Sequence, residues 1–217
     1  GKTLAFSLAL LTNISGKQAK PHKPLALVLT PTRELAQQID EVLRPLARAI
    51  GHESVVIAGG MPYAKQITAM RKATAILVAT PGRLIDLLNK GEVQLDQLQI
   101  TVLDEADQML DMGFINDVKK IVKLTPKNRQ TLLFSATMPI AIRELAEMFL
   151  QDPAKVEVSP VSSTAENVEQ RIYFVDKTEK RNLLYHLIKN ENLSDVLVFS
   201  RTKHGADNVV KALRKNN

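Results

Sequence analysis

Three carboxylates fall within four residues, Asp104, Glu105 and Asp107, directly after the apolar run Ile100-Thr-Val-Leu103. The run reads as a buried strand. That places the acids at a strand C-terminus, where open α/β sheets bind their ligands. Acids so placed can hold a hard divalent cation and, with it, a phosphate chain beside a reacting water. They also suit the first turn of a helix, where negative charge is favoured. On these residues alone the two readings stand level.

The elements that would position them repeat a rhythm of strand, turn and helix. Strands are predicted at residues 25–29, 54–58, 75–79, 100–103, 131–134 and 155–158, each an apolar run bounded by turn residues. The strand at 25–29 runs into Thr30-Pro-Thr-Arg-Glu-Leu-Ala36, where Thr30 could cap a helix with Pro31 at its first position. Helical spacing then carries Leu35, Ile39, Val42, Leu43, Leu46 and Ile50, and Pro45 is expected to kink or break that helix. Further helices are expected over 63–72, opening at Thr80-Pro-Gly-Arg83 and running through Leu88, over 108–124 and over 140–150. The repeat implies a parallel sheet covered on both faces, an α/β fold.

Polar motifs share one position in this scheme. Thr32-Arg33, Gly59-Gly60, Thr80-Pro-Gly-Arg83, the acidic cluster and Ser135-Ala-Thr137 all follow strand C-termini and so lie along one sheet edge. Glycines at 59 and 60 permit close backbone approach to a ligand, and equally form an ordinary turn. At the start of the chain, Gly1-Lys2-Thr3 leads into an apolar, helix-like stretch. It matches the last three residues of a phosphate-binding loop, whose backbone N–H groups, lysine and hydroxyl meet phosphates and Mg²⁺. As a bare tripeptide it is weak evidence.

Composition narrows the class. The chain has 217 residues and no cysteine, which excludes disulfides and thiolate metal sites and fits a reducing, cytoplasmic location. No apolar run reaches the roughly 20 residues of a membrane span. Net charge is +6, and it is uneven: ten Lys and Arg stand against five Asp and Glu from residue 170 onward, but nineteen against eighteen before it. An anionic partner and a plain basic surface both fit that excess. Residues 159–168 are rich in Ser, Thr and Pro without apolar periodicity and read as a linker. After it come strands at 171–175 and 195–200 and helices at 178–190 and 203–215, two strand–helix units and too few for a closed domain. Both ends of the chain read as cut.

Taken in order, these motifs resemble those of the DEAD-box ATP-dependent RNA helicases of superfamily 2. The resemblance rests on Asp104-Glu-Ala-Asp107, Thr30-Pro-Thr-Arg-Glu-Leu-Ala36, Gly59-Gly60, Thr80-Pro-Gly-Arg83, Ser135-Ala-Thr137 and Val196-Leu-Val-Phe-Ser-Arg201, and it covers essentially the whole chain. Met112-Gly-Phe114 and Arg201-Thr-Lys-His-Gly205 look like the bacterial RhlE-type branch.

The resemblance implies a RecA-like fold of the P-loop NTPase class. It implies an ATP-binding domain over 1–158 that lacks its first strand and most of the phosphate loop, a linker over 159–168, and over 169–217 the start of a second RecA-like domain. It implies ATP and Mg²⁺, with Gly1, Lys2 and Thr3 on the phosphates and Thr3 and Asp104 on the metal, Asp104 through water. Glu105 would orient or deprotonate the attacking water. Asp107 would link to Ser135 and Thr137, which couple hydrolysis to strand separation. RNA would lie on Pro31, Thr32 and Arg33, on Gly59 and Gly60, on Thr80, Pro81, Gly82 and Arg83, and on Ser200 and Arg201.

Such contacts are to sugar and phosphate, so binding should tolerate any sequence and fall with salt. With three Tyr, six Phe and no Trp, base stacking is not the expected grip. The family's upstream adenine-reading motif and its later motifs, including the arginine finger, are absent from this sequence. The segment alone is therefore expected to be nearly inert, with an unpaired, aggregation-prone sheet edge. Two other functions use the same residues: an RNA clamp without turnover, which makes Glu105 dispensable, and a Mg²⁺-dependent nuclease, against which Gly1-Lys2-Thr3 and Ser135-Ala-Thr137 argue.

Overall fold

The structure, a computed structural model, describes residues 1–157, 169–191 and 193–215. The expected linker at 159–168 lies outside them. The chain divides into two compact units, Gly1–Lys155 and Val156–Asn217.

In the first unit, five apolar runs form an all-parallel sheet: β1 (Ala26–Leu29), β2 (Ser54–Ile57), β3 (Ile76–Ala79), β4 (Ile100–Leu103) and β5 (Gln130–Leu133). The spatial order is β2-β3-β1-β4-β5, with β2 and β5 at the edges. Ala26 stands level with Ile76 on one side and Ile100 on the other, so the strand ends are aligned across the centre of the sheet.

Alternation along each strand divides the core in two. Leu27, Leu29, Ile57, Leu77, Ala79 and Leu103 face α3 (Tyr63–Arg71), α4 (Pro81–Asn89), α5 (Ala106–Asp111), α6 (Ile115–Lys123) and α7 (Ile140–Phe149). Ala26, Val28, Val56, Ile76, Val78, Ile100 and Val102 face α1 (Lys2–Ile14) and α2 (Arg33–Ala49). This is the RecA-like arrangement that the resemblance implies. Among the described residues no helix is long and apolar enough to cross a membrane.

Several local expectations give way. Helix α2 runs through Pro45 without a break. Pro45 is exposed while Leu43 and Ala47 on either side are fully buried, so burial of the apolar stripe outweighs one missing backbone bond. Thr30 does not cap. Its side chain is buried, and Thr32 is the N-cap, its hydroxyl accepting from the Leu35 N–H at 3.2 Å. The expected helix over 108–124 is two helices, separated at Gly113 (φ +78°). The Gly113 N–H donates to the Leu110 carbonyl and the Phe114 N–H to that of Met109, the paired bonds of a Schellman stop.

Residues 155–157 form no strand, Val156 being 90% exposed, and Val158 lies outside the described residues. In the second unit the helices are α8 (Lys180–Asn190) and α9 (Lys203–Lys215). The expected strands at 171–175 and 195–200 are not formed, and Phe174 and Phe199 stand 98% and 88% exposed. An isolated strand pair is marginal in water, and no further strand among the described residues supports these two.

One buried charge gave no signal in the sequence. Asp40, on the core side of α2, accepts from the Ser54 hydroxyl and pairs with Arg44 one turn along. The Ser54 bond ties α2 to the edge strand β2, whose ladder partner in the sheet is β3, while the Arg44 pair lies within α2.

Candidate active site and RNA-facing edge

The acidic cluster sits where β4 ends, and the backbone there is fixed from both sides. The Asp104 N–H donates to the Leu29 carbonyl, and the Ala106 N–H to that of Phe134. Asp104 is 1% exposed. Its Oδ1 accepts from the Glu105 N–H at 3.1 Å and meets Lys2 Nζ at 2.7 Å. The same ammonium donates to Glu105 Oε1 at 2.6 Å. Lys2 opens α1, with Gly1 as its N-cap, so the helix's free N–H groups and this ammonium stand together beside two carboxylates.

The electrostatics follow from this packing. Burial pushes the Asp104 carboxyl above the ordinary carboxylate range, with Lys2 opposing it. Burial lowers the Lys2 ammonium, but its bonds to Asp104 and Glu105 outweigh that and hold it above its ordinary value. Glu105 is itself unusual. It has left-handed backbone angles (φ 55°, ψ 52°) where it caps α5. A non-glycine residue there carries about 1–2 kcal/mol of strain.

On the other side of the turn, Asp107 is joined to the end of β5. Its Oδ2 accepts from both the Thr137 N–H and the Thr137 hydroxyl, each at 2.9 Å, and its own N–H donates to Ser135 Oγ at 3.1 Å. Burial would raise this carboxyl, but the Thr137 and Ser135 bonds prevail and hold it below its ordinary value of 3.8. A depressed acid contributes stability above its unfolded-state pKa and loses it as pH falls through the folded value. The Asp107–Thr137 link should therefore be intact at pH 5 and above and fail only below pH 3.8. Acid titration of the wild type and Asp107→Asn, followed by Thr137 amide exchange, checks this: the acid-dependent loss of protection should vanish in the variant.

The remaining motif residues line the same strand-end edge. Arg33, exposed at the start of α2, pairs with Glu34 at 2.9 Å and lies against Gly60. Gly60 has φ +72°, a conformation that favours glycine; the Arg33 Nη1 that a Cβ would meet at 2.8 Å is the end of a flexible, exposed side chain, so the backbone angle and not the space argues for glycine. Gly59 and Gly82 are exposed and open to approach. Thr32 is half-buried, and Pro31, Thr80 and Pro81, the last at the first turn of α4, are buried. Arg83 Nη1 donates to the Met61 carbonyl at 3.4 Å, and its guanidinium carbon lies 5.1 Å from the centre of the Tyr63 ring.

Tyr63 is a site residue that the sequence does not point to, since no spacing along the chain links it to α4. Ser200 and Arg201 belong to the second unit, where both are exposed and the Ser200 hydroxyl donates to the Thr202 carbonyl.

Comparison with known proteins bears on this geometry. Residues 1–145 match the DEAD/DEAH box helicase family. The chain is 42% identical to the RNA helicase CrhR of Synechocystis sp. over 217 residues, covering 99% of this chain and 43% of that protein. It is 40% identical to the ATP-dependent RNA helicase RhlB of Pseudomonas aeruginosa over 223 residues, covering all of this chain and 56% of that one. Among solved structures it is similar to a hypothetical ATP-dependent RNA helicase from Sulfolobus tokodaii, with a TM-score of 0.62 and 41% identity over 70% of this chain and 43% of that chain. The chain thus spans about half the length of these relatives. The match runs from Gly1 through the Asp104 cluster and past Thr137, over the residues that the fold gathers at one edge, and the chain belongs to the DEAD/DEAH box helicase family.

Proposed function

We propose that this chain supplies the nucleotide-binding and RNA-gripping parts of an ATP-dependent RNA helicase, working in the cytoplasm. Residues 1–158 would be the ATP-binding domain, 159–168 a linker and 169–217 the start of a second RecA-like domain. The observation that carries the reading is the Lys2 ammonium, held between Asp104 and Glu105 at the N-terminus of α1, with Asp107 joined to Ser135 and Thr137 one turn away. One strand end thereby connects a phosphate-binding feature to a second element of the sheet.

The residues present fit a Mg²⁺–nucleotide pair. Asp104 and Glu105 already share one cation. Among the described residues no group of three or more His, Asp or Glu could hold a metal. A site of one or two carboxylates completed by phosphate oxygens and water is what Mg²⁺ uses. Asp104 and Thr3 would hold it, and its charge neutralises the phosphates. Lys2 and the free N–H groups of α1 bind the phosphate chain. Glu105 orients the attacking water and takes its proton. The water oxygen bonds to the terminal phosphorus as the bond to the leaving ADP oxygen breaks, and ADP keeps that electron pair. Such chemistry rests on positioning and charge. Asp107 passes the change to Ser135 and Thr137.

RNA lies along the strand-end edge. Pro31, Thr32, Arg33, Gly59, Gly60 and Thr80 through Arg83 contact its backbone; in the second unit, taken by itself, Ser200 and Arg201 are also assigned to RNA. Sequence then matters little and salt matters greatly. Replacing Arg33 or Arg83 by Ala should weaken RNA binding uniformly across sequences. Each should flatten the dependence of log affinity on log salt by about 0.7 for every single-strand phosphate that the variant no longer neutralises. Fluorescence titrations at three salt concentrations read both.

The deciding test is phosphate release with and without RNA. It compares this chain with a version extended at both ends by the corresponding segments of the Synechocystis relative. RNA-dependent release by the extended protein supports the proposal. RNA binding without release makes the chain a clamp, and RNA cleavage with Mg²⁺ and no ATP makes it a nuclease.

A further inference from the structure

Two cations assigned to RNA rest on one short stretch between β2 and α3. Arg33 lies against Gly60, and Arg83 lies on the Met61 carbonyl and the Tyr63 ring. They are held differently. Arg33 is ion-paired with Glu34. Among the described residues no carboxylate pairs with Arg83. Its partners are a carbonyl oxygen and the negative face of an aromatic ring. Both fix the position of a guanidinium without cancelling its charge. Tyr63 is itself fixed, being half-buried and packed against the core. A second cation, Lys90, lies 4.4 Å from the ring centre, but its charge is matched by Asp86 at 3.4 Å.

We infer that Tyr63 is a positioning residue for Arg83. Its ring and the Met61 carbonyl hold the guanidinium at the strand-end edge, still fully charged, before a phosphate arrives. The inference rests on the RNA-binding reading of that edge. Its benefit is preorganisation. A free arginine side chain loses rotamer freedom when it grips a ligand, and one already ordered loses less. A carboxylate could order Arg83 as well, but the phosphate would then have to displace it.

The test is a double-mutant cycle on the 217-residue chain, with single-stranded RNA of mixed sequence as probe. Tyr63→Met keeps the bulk and removes the ring, and should weaken RNA binding roughly three- to tenfold, the scale of a cation–π contact. Tyr63→Phe keeps the ring and should restore binding to within about twofold of wild type. In an Arg83→Ala background, Tyr63→Met should have no further effect. Lys90→Ala should leave the Tyr63→Met effect in place. An equal loss with and without Arg83, or no loss at all, overturns the inference.

A second measurement stands apart from RNA. In the NMR spectrum, the Arg83 side-chain protons should carry an upfield ring-current shift that Tyr63→Phe keeps and Tyr63→Met abolishes. If wild type binds no RNA, the RNA reading fails while this shift still decides the positioning. If Tyr63→Met does not fold, the shift in wild type and Tyr63→Phe decides it. Arg83 signals without a ring-current shift in wild type overturn the inference.

Discussion

In the extended protein, and on the function proposed above, replacing Glu105 by Gln should lower RNA-stimulated ATP hydrolysis by about 10²–10⁴-fold, the range for loss of a positioned general base. The substitution keeps the shape of the side chain and removes its charge and its proton affinity. Asp104 retains its bonds to Lys2 and to the residue-105 N–H, because the latter comes from the backbone. ATP and RNA affinities should therefore change little, and the loss should fall on kcat. Measuring kcat and KM for the wild type and Glu105→Gln, with saturating RNA, separates chemistry from binding. A variant that turns over at the wild-type rate would make the acidic cluster a structural turn.

Lys2→Ala is expected to act on both activity and stability. For activity, it removes the ammonium that stands at the head of α1 and should lower hydrolysis about 10²–10³-fold, as for loss of one preorganised electrostatic donor. For stability, it leaves the 1%-exposed Asp104 carboxylate without its cation. The cost should be roughly 1–3 kcal/mol at pH 8, the scale of an unmet buried partner.

The sign with pH is set by Asp104. Its folded pKa is already raised above 3.8 by burial, and loss of Lys2 raises it further. A raised acid favours the protonated native state, so stability declines as pH rises through the folded value. The deficit of Lys2→Ala should thus be small near pH 4 and grow toward pH 8. Urea unfolding at several pH values reads it directly. Lys2→Arg will not rescue fully, since a planar guanidinium cannot place one compact charge against both Asp104 and Glu105.

The buried strands of the first unit and the edge they create were legible because a strand buried on both faces has to be an apolar run, and runs such as Ala26–Leu29 are visible without a structure; β5, only partly buried, showed through the shorter run at 131–134. The clustering of Arg33, Gly60, Arg83, Asp104 and Ser135 was legible for the same reason, since each follows such a run. What stayed hidden depended on partners distant in sequence. The order β2-β3-β1-β4-β5 follows no local pattern.

Thr30-Pro31 and Thr80-Pro81 read alike, yet only the second opens a helix at its proline. At the first, Thr32 offers a better-placed hydroxyl and shifts the start by two residues. Gly113 is a visible stop, masked because apolar spacing continues beyond it into α6. The expected strands of the second unit show the converse. Ile172, Phe174, Leu197 and Phe199 have strand-like composition, but composition forms no ladder where neighbouring strands do not supply the bonds.

The backbone of Glu105 sets chemistry and durability against each other. Its left-handed conformation suits glycine best, and asparagine better than glutamate. Glu105→Gly should fold about 1 kcal/mol more stably than Glu105→Ala, and calorimetry on the pair would show it. A laboratory selection for heat resistance alone would therefore press hardest on the one side chain assigned to proton transfer. A thermostabilised descendant bred without an activity screen would be expected to lose its turnover first, with its fold intact.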